Sequence, residues 1–243
     1  MQEIEFIARD EDSLYWKPQP AKKCIPEWFK NLPVGTEQIN PTMPRTTAKS
    51  CIPLSDMITS GYIIFNEWET DLLHVDTSKE AYYFENTDVP CSIKYRDARQ
   101  EAKKEFNVNL HDNAQCPLPG HTKDFFKVYN RWQVKTPPGY SCLFMQPFYH
   151  MQTGYQMLPA IVDTDTHDCP VEFNGYMIAN EVTLKPGDPL MQVIPFKRDS
   201  WKSKFSEKFN NKSFYQFWMN RIEAISRPLH TYRKYFHSKK KFD

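Results

Sequence analysis

The chain has 243 residues, 31 Lys and Arg against 30 Asp and Glu, and aromatic residues at 15% of positions, which is enough to bury a sizeable core in one domain, with or without an appendage. Nineteen Pro against seven Gly argue against a long-helix architecture, because proline interrupts helices and central strands; short strands joined by rigid turns are expected. The opening MQEIEFIARDED lacks the runs of a secretory signal, no apolar stretch is long enough to span a bilayer, and six dispersed Cys form no C-x-x-C pair. These features point to a cytoplasmic protein with reduced thiols and no membrane contact.

The net charge of +1 conceals an asymmetry. From Lys197 onward there are 13 Lys and Arg against 4 Asp and Glu, which leaves the preceding body near minus eight. Such a tail can hold nucleic acid, or it can dock on its own acidic body or on a neighbouring subunit.

In chain order, EIEFIA (3–8) alternates as a half-buried strand. A proline-punctuated segment follows, with a short helix expected at Glu27–Leu32 opened by Pro26, and a loop over residues 34–48. CIPLSDMITSG reads as one or two helical turns closed by Gly61; GYIIFNEW and DLLHV read as strands. RDARQEAKKEF, within residues 92–106, is rich in helix formers and is expected to be a surface helix in an insertion spanning about 77–123. FFKVYNRWQVK and YSCLFMQPFY are expected strands joined at TPPG. LPAIVDTD and VEFNGYMI follow as strands, and KPGD is expected to join EVTL to PLMQVIPF as a second hairpin. Short strands with turn signals between them suggest a closed or sandwiched β-body over residues 1–200. After Trp201 the pattern turns helical: Phe214, Phe217, Trp218, Ile222 and Ile225 form an apolar stripe, and residues 201–243 read as a basic helical appendage.

Five segments carry a resemblance: WKPQPAKKCIPEWFKNLP, KSCIPLSDMITSGY, RWQVKTPPGYSCLF, IVDTDTHDCPVEF and GDPLMQVIPFKRDSW. Together, over residues 15–201, they resemble an uncharacterised family of bacteriophage and bacterial proteins that supplies no activity. TPPGY, IVDTD and VTLKPGDPLMQVI are also similar, distantly, to the strand motifs of the trimeric dUTPase and dCTP deaminase group. That similarity implies a β-clip fold, a compact distorted barrel of short strands, and a homotrimer. The departures are specific. The phosphate-binding Arg-Ser loop of that group corresponds to MQPFYHM, with Gln146, Pro147 and Phe148; its stacking tyrosine corresponds to Thr166 and the neighbouring arginine to His167. A triphosphate site needs several converging donors and cations, and those are replaced.

Asp163 and Asp165 lie two apart on an expected strand and so share a face. Such a pair can hold Mg²⁺ or activate water, Asp163 taking the water-activating position that the resemblance implies; alternatively DTDTHD caps a strand end. Lys135, Tyr140 and Arg198, at strand ends, are candidate contacts for a nucleotide or another anionic ligand, and Arg198 equally suits an ion pair with the body. His74 and Asp76 form an H-x-D pair that, with His121 or His150, suits an iron- and 2-oxoglutarate-dependent oxygenase. His111, Cys116 and His121 offer at best three zinc ligands. Cys142 and Cys51 read as buried small hydrophobes. The ranking that follows is a phage-related, non-catalytic or activity-lost β-clip-like binding or assembly protein, located in the host cytoplasm if phage-encoded. A dUTPase-type diphosphohydrolase using Asp163 comes second and the oxygenase third.

Overall fold

The short strands anticipated from the proline count are what the chain forms. A computed structural model describes residues 2–36, 46–74, 93–97, 108–110, 125–205, 215–216, 219 and 237–242, with only the backbone path given at 93–97 and 108–110. Contacts divide the chain into two units, Met1–Gln19 with Gly61–Arg198, and Pro20–Ser60 with Asp199–Asp243. The second junction falls beside the boundary expected at residue 200, but Pro20–Ser60, placed with the body by the sequence, clusters with the C-terminal segment.

The first unit is mainly β. Its strands are β1 (Glu5–Ala8), the two-residue β2 (Gln19–Pro20) at the unit boundary, β3 (Tyr62–Phe65), β4 (Thr70–His74), β5 (Ile93–Asp97), β6 (Val108–Leu110) and β7 (Phe125–Val128). Then come β8 (Trp132–Lys135), β9 (Tyr140–Met145), β10 (Tyr155–Met157), β11 (Ala160–Val162), β12 (Phe173–Met177), β13 (Glu181–Leu184) and β14 (Pro189–Lys197). They form four sheets, in the orders β1-β8, β10-β12-β7-β6, β11-β9-β14-β3-β2 and β13-β4-β5. The registered pairings are antiparallel.

On β12 and β13 alternation explains which face is buried. On β12 the inward positions are Phe173, Gly175 and Met177, and on β13 they are Val182 and Leu184. On β14 four consecutive residues, Leu190 to Val193, are buried, as suits a strand paired with β9 on one side and β3 on the other. Phe126, Phe144, Phe173, Met157 and Leu184 meet in one apolar cluster, with Phe144 and Phe173 ring centroids 5.8 Å apart. Two glycines permit close approaches. A Cβ on Gly61, at φ +70°, would lie 2.0 Å from the Val193 carbonyl oxygen, and one on Gly175 would meet the Phe126 ring at 2.7 Å.

Several expected elements differ. FFKVYNRWQVK is two strands in different sheets, not one. The break is made by Asn130, whose side chain accepts from the Trp132 amide at 3.0 Å and donates to its carbonyl at 2.6 Å, a local loop that competes with the ladder. TPPG joins β8 to β9 without a hairpin, because β8 pairs with β1 while β9 pairs over six residues with β14. KPGD likewise turns between strands of separate sheets: β13 pairs with β4, and buried Asn66 binds the turn by donating to Lys185 O at 3.1 Å and accepting Gly187 N–H at 2.8 Å on its carbonyl. Arg96 and Asp97 end strand β5 rather than open a helix, since they pair with β4; residues 98–107, the rest of that expected helix, lie outside the described residues.

In the second unit, α1 (Glu27–Asn31) follows Pro26, whose carbonyl accepts from the amides of Phe29 and Lys30 at 3.0 Å. Helix α2 (Ile52–Thr59) has Pro53 in its first turn, where no amide donor is required. At its end the Thr59 and Ser60 hydroxyls donate to the carbonyls of Ser55 and Asp56 at 2.8 and 2.6 Å. His237 and Lys240 then close on Asp56, at 3.1 and 2.7 Å; against burial, which pushes its carboxyl up, they hold it below the usual range. Phe214, Phe217, Trp218, Ile222 and Ile225, the expected stripe, lie outside the described residues.

One charge cluster sits inside the first unit. Buried Arg131 pairs with Asp10, and its Nε lies 3.8 Å from Glu67 Oε2. The Ser13 hydroxyl donates to Asp10 at 2.9 Å. Burial pushes the Glu67 carboxyl up to about 7 against the pull of Arg131, with Asp10 pushing the same way as burial. A carboxylate whose folded value exceeds its unfolded one binds more protons when folded. Stability therefore falls as pH rises from the ordinary carboxylate range to about 7, then levels. Glu67→Gln is expected to flatten this decline, so that thermal midpoints of variant and wild type differ more at pH 8 than at pH 5. An unchanged pH profile shows that Glu67 is not held protonated by burial.

Candidate functional site

The region with the most convergent polar chemistry lies at the end of the five-stranded sheet, where β9 begins, β11 ends and β14 leaves the unit. Its location follows from the turns. In TPPG the Tyr140 amide donates to Pro137 O at 3.2 Å and Gly139 takes φ +85°, a conformation that glycine adopts without penalty. After β11 the chain turns through Asp163–Thr166, with the amides of Thr166 and His167 donating to Asp163 O at 3.0 and 2.9 Å. Asp163 and Asp165 therefore stand on a turn, not along one strand face.

Arg198 gathers both carboxylates. Its Nη1 donates to Asp165 Oδ1 at 2.8 Å, Nη2 pairs with Asp165 Oδ2, and Nη1 lies 3.2 Å from Asp163 Oδ1. The same Nη1 reaches Tyr140 O and Ser141 Oγ, each at 3.1 Å, and the Arg198 amide donates to Gly139 O at 2.9 Å. The Gly139 amide donates to Asp165 at 2.8 Å, and the Ser141 hydroxyl donates to Asp163 at 2.6 Å. Asp165 is 6% exposed and Asp163 62%, so one carboxylate is enclosed and the other faces outward. The Arg198 hydrogen bonds, then the Gly139 amide, hold the Asp165 carboxyl down to about 2.

Of the expected ligand contacts, Tyr140 lends the cluster its carbonyl through Arg198. Lys135 stands in an ion pair with exposed Asp168, whose carboxyl it holds below the usual range. Ser141 and the Gly139 amide are the site groups that sequence reading passed over. Ser141 carried one signal, a small polar residue inside the otherwise apolar YSCLFM. Beneath the cluster, Thr136 and Thr164 hydroxyls are 2.7 Å apart and Thr164 donates to the Cys142 sulfur at 3.4 Å. Burial pushes the Cys142 thiol up to about 11, as expected for a packed, inert cysteine. Cys51, expected to be buried, is exposed.

The MQPFYHM stretch is tied to β10, to β14 and to the loop that follows it. Gln146 accepts the Met157 amide at 3.0 Å and donates to Gln152 at 3.2 Å, and the Phe148 amide donates to buried Gln192 at 3.3 Å. Tyr149 and Met151 take φ values of 62° and 51°, in the left-handed region uncommon for side-chain-bearing residues. His150 between them is held below its usual value by burial. His74 ends β4 and is exposed, while its expected partners Asp76 and His121, like His111 and Cys116, lie outside the described residues. Among the described residues no group of three or more His, Cys, Asp or Glu is placed to hold a metal, and no helix is long and apolar enough to cross a membrane.

No family model matches the chain, and no curated protein matches it. Among solved structures it is similar to native EIAV dUTPase at 9% identity and a TM-score of 0.33, over 62% of this chain and 87% of that one.

The charge clamp has a testable consequence. A carboxyl held low when folded stabilises at pH values above its ordinary one, and that contribution is lost as pH falls through the ordinary range towards about 2. Arg198→Ala is expected to move acid unfolding, followed by circular dichroism, to higher pH and to lower the thermal midpoint at pH 7. An acid transition that does not move shows that Asp165 does not depend on Arg198.

Proposed function

We propose that the protein is a non-catalytic binding or assembly protein on a β-clip-like body, related to the bacteriophage and bacterial family that its five segments resemble. One observation carries this reading: the Arg198 guanidinium holds both oxygens of Asp165 and lies 3.2 Å from one oxygen of Asp163. A general base must offer a free carboxylate to a water, and a metal pair must offer two. Here the positive charge is already supplied by the protein, and an arginine cannot give up its proton. The loop aligned with the phosphate-binding loop spends Gln146 and the Phe148 amide on its own scaffold, which supports the same reading. An anionic ligand at Lys135, Tyr140 and Arg198 would have to displace Asp168 from Lys135.

The second reading is a dUTPase-type diphosphohydrolase in which Asp163, the outward-facing carboxylate, activates water with Mg²⁺ as the phosphate's counter-ion. The exposure of Asp163 favours it. Incubation of the purified protein with dUTP or dCTP and Mg²⁺, with assays for pyrophosphate and ammonia, separates the two. No turnover above the protein-free control is expected. Turnover abolished by Asp163→Ala would install the second reading.

A homotrimer belongs to the same proposal. It is supported by the motifs shared with trimeric enzymes and by the sequence stripe from Phe214 to Ile225, which must be covered by the protein itself or by a partner. Light scattering during size-exclusion chromatography is expected to give three times the mass of the 28.8 kDa chain. A monomer mass at tens of micromolar protein, the range where a stable interface persists, ends the idea.

A further inference from the structure

We infer that the second unit is a binding module for single-stranded nucleic acid, with Trp201 and Phe205 as base-stacking faces and Lys202 and Lys204 as phosphate contacts. Two independent observations lead there. The first is how charge divides between the units. Pro20–Ser60 with Asp199–Asp243 contains sixteen Lys and Arg against seven Asp and Glu, a surplus of nine. The first unit contains fifteen against twenty-three, a deficit of eight. The boundary drawn by contacts thus coincides with a reversal of sign, which makes one unit a site for polyanions.

The second is the stretch from Asp199 to Phe205, which forms neither helix nor strand and is exposed throughout. Trp201 is 91% and Phe205 92% exposed, although both carry large apolar faces that proteins ordinarily cover. Lys202 and Lys204 alternate with them, and none of these four side chains bonds or ion-pairs with a described residue. Aromatic faces interleaved with exposed ammonium groups suit a strand of stacked bases on a charged backbone: every base has a face to stack, and every linkage carries a negative charge. An apolar protein groove would accept the rings but would gain little from the lysines.

The remaining basic chemistry of the unit agrees. A recess of about 130 Å³ is lined by Lys22, Lys240, Lys241 and Phe242 beside Asp56, so lysines and an aromatic ring recur at a second place. There Asp56 takes up Lys240 and His237, which leaves the recess less positive than its lysines alone would make it. The open segment at Trp201 is therefore the stronger contact. This inference does not rest on the reading of the Asp163 cluster, which lies in the other unit.

The full-length protein would be titrated into fluorescein-labelled oligo-dT and oligo-rU of twenty nucleotides, with fluorescence anisotropy read at rising salt and heparin as a polyanion without bases. Binding to both oligonucleotides is expected, with log affinity falling linearly in log salt. Trp201→Ala and Phe205→Ala should each weaken it about tenfold. Lys202→Glu with Lys204→Glu should lower the salt slope by roughly 1.4, about 0.7 for each lost phosphate contact. All four positions are exposed, so unchanged circular dichroism is expected of the variants. Three results overturn the inference: no binding at 50 mM salt (within the range where such contacts are strongest), affinity unmoved by removing either ring, or a multimer that dissociates in Trp201→Ala, which makes the segment a contact between copies.

Discussion

The Arg198 guanidinium is the contact around which the end of the five-stranded sheet is arranged. It touches the carbonyl at the start of β9, the hydroxyl of Ser141 and both aspartates of the turn after β11, while its amide holds Gly139. Three segments distant in sequence are fixed by one planar fork of donors, a geometry that lysine could not reproduce. Removing the guanidinium would leave Asp165 without the counter-charge that holds its carboxyl low. The clamp ties the turn after β11 to the start of β9, and it does so where the chain leaves the first unit.

A second buried charge group follows a different logic. Arg131 faces two carboxylates, and only Asp10 is drawn below its ordinary value, by the Ser13 hydrogen bonds and by Arg131 against its own burial. Glu67, more deeply enclosed and farther from Arg131, goes the other way. Distance and hydrogen bonding decide which of two nearby acids keeps its charge. The Glu67 group joins the connection between β3 and β4 to that between β7 and β8, while Asn66 beside it binds the turn between β13 and β14. Consecutive residues of one short loop therefore hold together parts of the fold that no hairpin connects.

That arrangement shows why the sequence was legible at some levels and not at others. FNGYM and EVTL alternate because burial on one face imposes a period of two, whereas YIIF and YSCLFM were legible as short apolar runs bounded by turn residues. IPLSDMIT was found as a helix because Pro53 and Gly61 bracket it. Partners were misjudged wherever a turn motif was taken for a hairpin: TPPG and KPGD do turn the chain, yet each flanking strand pairs elsewhere. Asp163 and Asp165 were picked out by their spacing of two and by the resemblance, and Arg198 by its strand-end position. Their mutual binding was named for Arg198 only as an ion pair with some carboxylate of the body, and Ser141 went unnoticed.

Local order belongs to the sequence by itself, because apolar period, proline placement and glycine conformation act over a few residues. The mainly β character, the short strands and the reversal of charge towards the C-terminus were all readable from the chain alone. Strand order across the four sheets was decided only by the tertiary structure, since pairing depends on competition among many compatible edges. It also decided that Arg198 lies against both aspartates. Both outcomes depend on groups brought together across long stretches of chain, Arg198 with Asp165 and β14 with β3. No local pattern encodes such a meeting, because it is set by the packing of the whole unit.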